Sequence, residues 1–201
     1  LEAGADVVFA PESDVIYPPG VAIDTPPLPS VATEPGLEDA HRPGHFTGVC
    51  QVVSRLFDLA RPNYAIFGEK DFQQLRVIEA MVAAHEMRWP GLLILAHPTV
   101  REPDGLALSS RNRYLRPEQR DRALGLSRAL RVAHAAQRPE TAETLMRETL
   151  EAHGLTIDYA DVRDARTLLP VDSLEQPARA LIAARLDEVR LIDNQTMTVW
   201  R

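Results

Sequence analysis

The stretch from Asn63 to Ala96 limits this chain's possible folds more than any other. Asn63-Tyr64-Ala65-Ile66-Phe67 reads as a short buried strand, and Phe72, Leu75, Ile78, Met81, Val82 and His85 then recur at helical spacing. Trp89-Pro90-Gly91 breaks that helix, and Leu92-Leu93-Ile94-Leu95-Ala96 is a continuous apolar run of the kind expected for a parallel strand buried on both faces. Strand, helix and strand in that order form the crossover unit of a parallel sheet. The first strand hands over to the helix through Gly68-Glu69-Lys70-Asp71. In open α/β sheets ligands bind at such carboxyl ends, where a helix N-terminus presents unpaired N–H groups suited to phosphate. Lys70 adds a mobile full charge there. Without a ligand, the same residues would be a turn glycine, a solvated Lys-Asp pair and two surface glutamines.

The remaining sequence extends this pattern. Val7-Val8-Phe9-Ala10 reads as a core strand ended by Pro11, and Leu1-Glu2-Ala3 before it as the tail of a helix. Pro18 through Pro35 is dense in proline, which fits a surface loop, a linker or a substrate-covering segment. Phe46, Val49, Cys50, Val53, Leu56, Phe57 and Ala60 mark a helix with one face toward a core. His45 precedes that face, a position that suits a hydrogen-bonded structural histidine. Strands alternating with helices predict a doubly wound α/β sheet.

Past Pro98 the character changes. A helix is expected from Pro117 through Val132 and a second from Glu140 to Ala152, stopped by Gly154. Strands are expected over residues 156–162, 178–186, 189–193 and 196–200. Helices followed by strands indicate a small α+β domain, which places a boundary near His97 and divides the chain into residues 1–97 and 98–201.

A net charge of −7 argues against a general nucleic-acid or anionic-membrane binder, so anionic ligands must meet local basic groups. Cys50 is the only cysteine, no apolar run reaches the ~20 residues that span a bilayer, and no signal-like segment opens the chain, so a cytoplasmic protein is expected. Among the common catalytic and nucleotide signatures, Gly-x-x-x-x-Gly-Lys-Ser/Thr, Gly-x-Gly-x-x-Gly and His-Glu-x-x-His are absent, and the histidines give no zinc spacing.

A second polar cluster, Leu108-Ser109-Ser110-Arg111-Asn112-Arg113, follows about forty residues after Lys70. Serine hydroxyls beside an arginine fork suit phosphate oxygens. A Lys from one domain and a Ser-Ser-Arg loop from the other, facing across a cleft, would converge on a polyphosphate. Such chemistry needs positioning and charge neutralisation rather than a protein nucleophile. The residues alone indicate a nucleotide, without identifying the acid to be activated.

The ordered runs Arg42-Pro43-Gly44-His45-Phe46-Thr47-Gly48-Val49, Phe67 to Leu75, Pro98-Thr99-Val100-Arg101-Glu102 and Gly105 to Leu115 closely resemble the pantoate–beta-alanine ligase family, over the whole chain. The resemblance implies a Rossmann-like fold of nucleotidyltransferase type with a small α+β C-terminal domain. It implies ATP-dependent condensation of pantoate with beta-alanine through a pantoyl adenylate, releasing pyrophosphate and AMP. Gly68, Glu69, Lys70 and Asp71 would line the nucleotide site, Val100 the adenine end, and Leu108, Ser109, Ser110 and Arg111 the loop over the phosphates. Leu108 stands where the family commonly has Met. Lys70 would carry the catalytic charge and Gln74 would hold pantoate, with His45 near both and Tyr17 at the family's tyrosine-proline step without a chemical role. Magnesium is implied with ATP, with no protein ligand assigned, and a homodimer is expected. The family's His-x-Gly-His motif is not in this sequence. The chain, which opens on Leu1, is expected to lack an N-terminal segment carrying that motif and to be inactive alone. Two alternatives stay open: a non-catalytic, folded or dimerising remnant, and another adenylyl-transferring enzyme of the same superfamily.

Overall fold

The computed structural model describes residues 4–197. The helix tail expected at Leu1-Glu2-Ala3 and the end of the strand expected over 196–200 therefore lie outside the described residues. Chain order begins with two single-turn helices, α1 (Ser13–Ile16) and α2 (Glu38–His41), and the long α3 (His45–Ala60). The crossover unit follows as β1 (Tyr64–Gly68), α4 (Phe72–Ala84) and β2 (Leu93–His97). β1 and β2 are parallel, with Tyr64 opposite Leu93 and Gly68 opposite His97. Both strands therefore end at one edge.

α3 and α4 cover one face of this pair. Phe46, Cys50 and Phe57 from α3 meet Val77, Ile78 and Met81 from α4, with Trp89 closing the cluster and Ala65, Phe67 and Ile94 packed from the strands. The helical stripes expected from the sequence are the faces that pack. Cys50 lies wholly within this core, and burial pushes its thiol up to about 11.

The other face differs from expectation. Tyr64, Ile66, Leu93 and Leu95 alternate with the packed residues and stand exposed, Ile66 at 68%. β2 is thus half-buried rather than covered on both sides, because no described element packs against its second face. Val7-Val8-Phe9-Ala10 is also not a strand. Val7 is 82% exposed, and no neighbouring backbone pairs with this run among the described residues. A short apolar run becomes a strand only where a partner supplies ladder hydrogen bonds.

The proline-dense passage is packed along part of its length. A 3₁₀ turn at Ser30–Ala32 buries Val31 and Ala32, and Leu37 is fully enclosed against Phe72 and Leu75. No strand forms there.

After β2 come a hairpin closed by the Arg101–Ala107 bridge and a 3₁₀ turn at Ser110–Tyr114. α5 (Pro117–Ala123), α6 (Gly125–Ala133) and α7 (Pro139–Ala152) lead into an antiparallel sheet of β3 (Thr156–Asp164), β4 (Ala178–Leu186) and β5 (Val189–Met197), in that order. The single helix expected over 117–132 is broken at Leu124, where α6 restarts with Gly125 packed closely on His153 and Leu155. The two strands expected over 189–193 and 196–200 are one strand through Met197, since Asn194 and Gln195 keep their pairing with Leu181 and Ala180. Gly154 ends α7 at φ +67°, a left-handed position that favours glycine.

β4 runs through the middle of the molecule. Ala178, Ala180, Ile182, Ala184 and Leu186 face α6 and α7, while Leu181 and Ala183 face Leu37, Phe72 and Leu75 of the first half. Side-chain alternation along one strand thus joins the two halves.

Candidate functional site

The 3₁₀ turn Glu69–Asp71 sits at the carboxyl end of β1, immediately before α4. Two side chains of the antiparallel sheet fix it directly. Asn194 donates both amide hydrogens, to the Glu69 and Lys70 carbonyls, each at 2.9 Å. Its Oδ1 accepts from Arg179 Nε at 2.7 Å, and Arg179 Nη2 pairs with the Glu69 carboxylate at 2.9 Å while stacking over the Phe72 ring. Lys70 is left with its backbone tied down and, among the described residues, its ammonium without a partner.

Two narrow adjoining clefts, of about 10 and 20 Å³, meet at this turn, and Lys70 lines both. The first is walled by Ser109, Arg111, Asn112 and Arg190. The second is walled by Arg42, His45, Asp71 and Gln74. Lys70 is the only lysine in the 201 residues; every other cationic side chain apart from the histidines is arginine. Among the described residues, neither Lys70 nor Arg111 has a carboxylate partner, whereas Arg190 and Arg101 are engaged in ion pairs. Two unpaired cations line one cleft in a chain of net charge −7, a charge arrangement that suits an anion.

The hairpin that carries Ser109 is braced from beneath. Arg101 forms a two-pronged pair with the buried Asp193, at 2.7 and 2.9 Å. Asn112 donates to the Ala107 carbonyl and to Glu102, and Arg120 holds Glu102 and Asp104. Ser109 Oγ caps the following turn by accepting from Arg111 N at 3.2 Å.

The wall of the second cleft is held by Glu38. Arg190 reaches both its oxygens, at 2.7 and 2.9 Å, and the Tyr159 hydroxyl donates to it at 2.9 Å. Burial pushes Glu38 up, but Arg190 and Tyr159 more than offset that, so its carboxyl lies below the ordinary range. Arg42 donates to His45 Nε2 at 3.0 Å. Burial, reinforced by the Arg42 charge, holds the His45 ring below its usual value and keeps it neutral at pH 7.

The sequence-predicted residues therefore divide. Lys70, Ser109 and Arg111 share one cleft, and Lys70, Asp71 and Gln74 share the other with His45. Glu69 lies on the turn, but its carboxylate is turned to Arg179. Gly68 is exposed at the end of β1 with open space around its Cα. Val100 and Leu108 face one another across the hairpin, Leu108 N donating to the Val100 carbonyl at 2.8 Å, with both side chains exposed. Ser110 is exposed at the start of its turn and lines neither cleft. Tyr17 caps α1, outside both.

Sequence reasoning passed over Glu38, Arg42, Asn112, Arg190, Asp193 and Asn194. Polar side chains at core positions of an otherwise apolar strand, Leu191-Ile192-Asp193-Asn194, were the available signal.

The family model for pantoate-beta-alanine ligase matches residues 1–196. The chain belongs to the pantoate–beta-alanine ligase family. It is 47% identical over 204 residues to a pantothenate synthetase of Myxococcus xanthus, covering 98% of this chain and 68% of that protein. A pantothenate synthetase of Geobacter sulfurreducens is 45% identical, covering 96% and 68%. Among solved structures, pantothenate synthetase from Thermus thermophilus superposes with a TM-score of 0.90 at 41% identity, over 98% of this chain and 71% of that one. The Francisella tularensis pantoate-beta-alanine ligase, crystallised with beta-gamma ATP and beta-alanine, gives 0.66 at 30% identity, over 90% and 60%. These family structures share the α/β architecture described above.

Proposed function

We propose that the paired clefts around Lys70 serve ATP-dependent condensation of pantoate with beta-alanine. The observation that carries this reading is the convergence of the two unpaired cations, Lys70 and Arg111, on one cleft beside Gln74 and the neutral His45. A pantoate carboxylate oxygen attacks the α-phosphorus of ATP, the bond to the bridging oxygen breaks, and pyrophosphate leaves with that electron pair. The beta-alanine nitrogen then attacks the acyl carbon, loses a proton, and expels AMP to leave the amide. Negative charge builds on the phosphoryl oxygens in the first step and on the acyl oxygen in the second. Lys70 and Arg111, which line the same cleft, stabilise the first.

In this reading the turn from Gly68 to Asp71, Ser109, Ser110 and the backbones of Val100 and Leu108 form the ATP side. Gln74 holds pantoate, with Arg42 and His45 lining the same cleft. Magnesium would supply counter-charge to the triphosphate. Among the described residues no group of three or more carboxylate, histidine or cysteine side chains forms a metal cage. Asp71 is the cleft carboxylate without an ion pair or hydrogen bond, so a metal held mainly by phosphate and water fits this donor set.

Residues 1–97 and 98–201 are proposed as the two domains. The hydrogen bonds from Asn194 and Arg179 to the 69–71 turn, together with those from Arg190 and Tyr159 to Glu38, are the seam between them. The buried lone Cys50 fits a reducing cytoplasm, and no described helix is long and apolar enough to cross a membrane. A homodimer is proposed from the family resemblance, and sedimentation tests it.

Lys70→Ala tests the mechanism. In the active enzyme, exchange of pyrophosphate into ATP that depends on pantoate should fall by about 10²–10³, because the ammonium acts mostly in the transition state. Pantoate affinity should hardly move. A loss under about fivefold, far short of one oxyanion-type contact, removes Lys70 from the chemistry.

A further inference from the structure

We infer that Asn194 is a positioning residue for the adenylation step, acting through the backbone of the turn that carries Lys70. The inference rests on the reading of Lys70 as the phosphate-side cation and adds the residue that aims it.

Asn194 sits on β5 and is 4% exposed. A primary amide has two N–H hydrogens, and here both are given to successive carbonyls, Glu69 O and Lys70 O. Its oxygen is taken by Arg179 Nε, which can only donate, so the orientation of the amide is fixed by its partners. The side chain borders the second cleft, yet its donors are spent on the turn. It therefore acts on substrate through Lys70.

The geometry explains why an amide occupies this position. Two consecutive carbonyls pointing the same way at the end of β1 need two donors from one direction, which a hydroxyl cannot supply and a carboxylate would repel. Arg179, bonded to Asn194 itself, completes the clamp through Glu69 and the Phe72 ring. With both carbonyls held, the backbone of residue 70 is fixed and its side chain projects from it along the lining of both clefts. A small displacement of such a group costs as much as about 10²-fold in rate.

The test is a double-mutant cycle in the active enzyme, with Asn194→Asp as first variant. It keeps shape and the Arg179 contact while removing both donors and placing charge against two carbonyls. Asn194→Ser, neutral and smaller, is the second variant. Pantoate-dependent pyrophosphate exchange should fall between about 10-fold and 10²-fold in both, with the pantoate KM nearly unchanged. In a Lys70→Ala background the same substitutions should cost less than about threefold, since residues that act as a unit do not add.

Lys70 is the only lysine in these 201 residues, and after reductive ¹³C-methylation its side-chain NMR signal is identified as the one lost in Lys70→Ala. That signal should shift in Asn194→Ser and lose its response to ATP. Full additivity, with an unmoved Lys70 signal, overturns the inference while leaving the Lys70 reading intact. A silent Lys70→Ala overturns both.

Discussion

Gln73 and Gln74 are neighbours with opposite tasks. Gln73 is buried and fully committed: Oε1 accepts from Glu38 N, while Nε2 donates to the Val31 carbonyl and the Asp39 carboxylate. It pins the proline-rich passage to α4. Gln74 makes no such bonds and lines the cleft beside Lys70 and His45. Gln74→Ala should raise the pantoate KM about tenfold or more with the ATP KM little changed, since an amide that binds the acid acts in ground and transition states alike. Gln73→Ala should instead lower the melting temperature and leave the pantoate KM in place. Steady-state kinetics and a thermal melt on both variants check this, and a reversed pattern would reassign the cleft. Adjacent helical positions differ by about 100° in direction, so the sequence can say that one of two glutamines faces a site. It becomes clear which one only once the fold shows Val31, Glu38 and Asp39 lying over Gln73. Asn194 was hidden for a related reason. Its partners are backbone carbonyls 124 and 125 residues away, and carbonyls leave no trace in sequence.

Elements whose stability is local were legible in the sequence, and elements that depend on a partner were not. The stripes of α3 and α4, the Gly154 stop of α7 and the span of β4 could be read because periodicity and capping are properties of the segment itself. The run at Val7–Ala10 has strand composition but no ladder partner among the described residues, and the outward face of β1 and β2 has no cover among them. β5 continues through Asn194 and Gln195 because β4 pairs with them, overriding the polar composition that suggested a break. The restart at Gly125 is a packing event. A Cβ there would come within 2.8–2.9 Å of His153 and Leu155. Gly125→Ala, despite raising helix propensity, should therefore destabilise the protein by roughly 1–3 kcal/mol, the usual cost of overpacking. Urea denaturation of the variant reads this directly. A gain in stability would mean that His153 moves freely and that the break at Leu124 has another cause.

At the scale of the molecule, the two halves meet through charge as well as through apolar contact. Glu38 on α2 is gripped by Arg190 of β5 and Tyr159 of β3, and Arg190 also holds Asp158 at 2.6 Å. This places an ionised carboxylate at 6% exposure on the seam that aligns Arg42 and His45 with Lys70. Asp158 is likewise held below its ordinary range, burial opposing and Arg190 and Arg185 prevailing. A carboxyl whose folded pKa lies below its unfolded value stabilises the fold in full above the unfolded value, near about 4.3 for Glu and 3.9 for Asp. The contribution is lost as pH falls through the folded value. His45 has the same sign in a higher window: kept neutral in the fold, it stabilises fully above its unfolded value near 6.5 and loses that contribution as pH drops below it. Stability should therefore decline gently from about pH 6.5 and steeply below about pH 4.5. Glu38→Gln keeps an acceptor for Tyr159 and a similar shape but cannot titrate. It should lower stability at pH 7, where it removes one partner of a buried ion pair, and flatten the acid limb of the profile. Denaturation midpoints measured from pH 7 to pH 3 in both proteins give the comparison. Parallel curves would show that Glu38 titrates in the folded and unfolded states alike and that its ion pair does not set the acid limb.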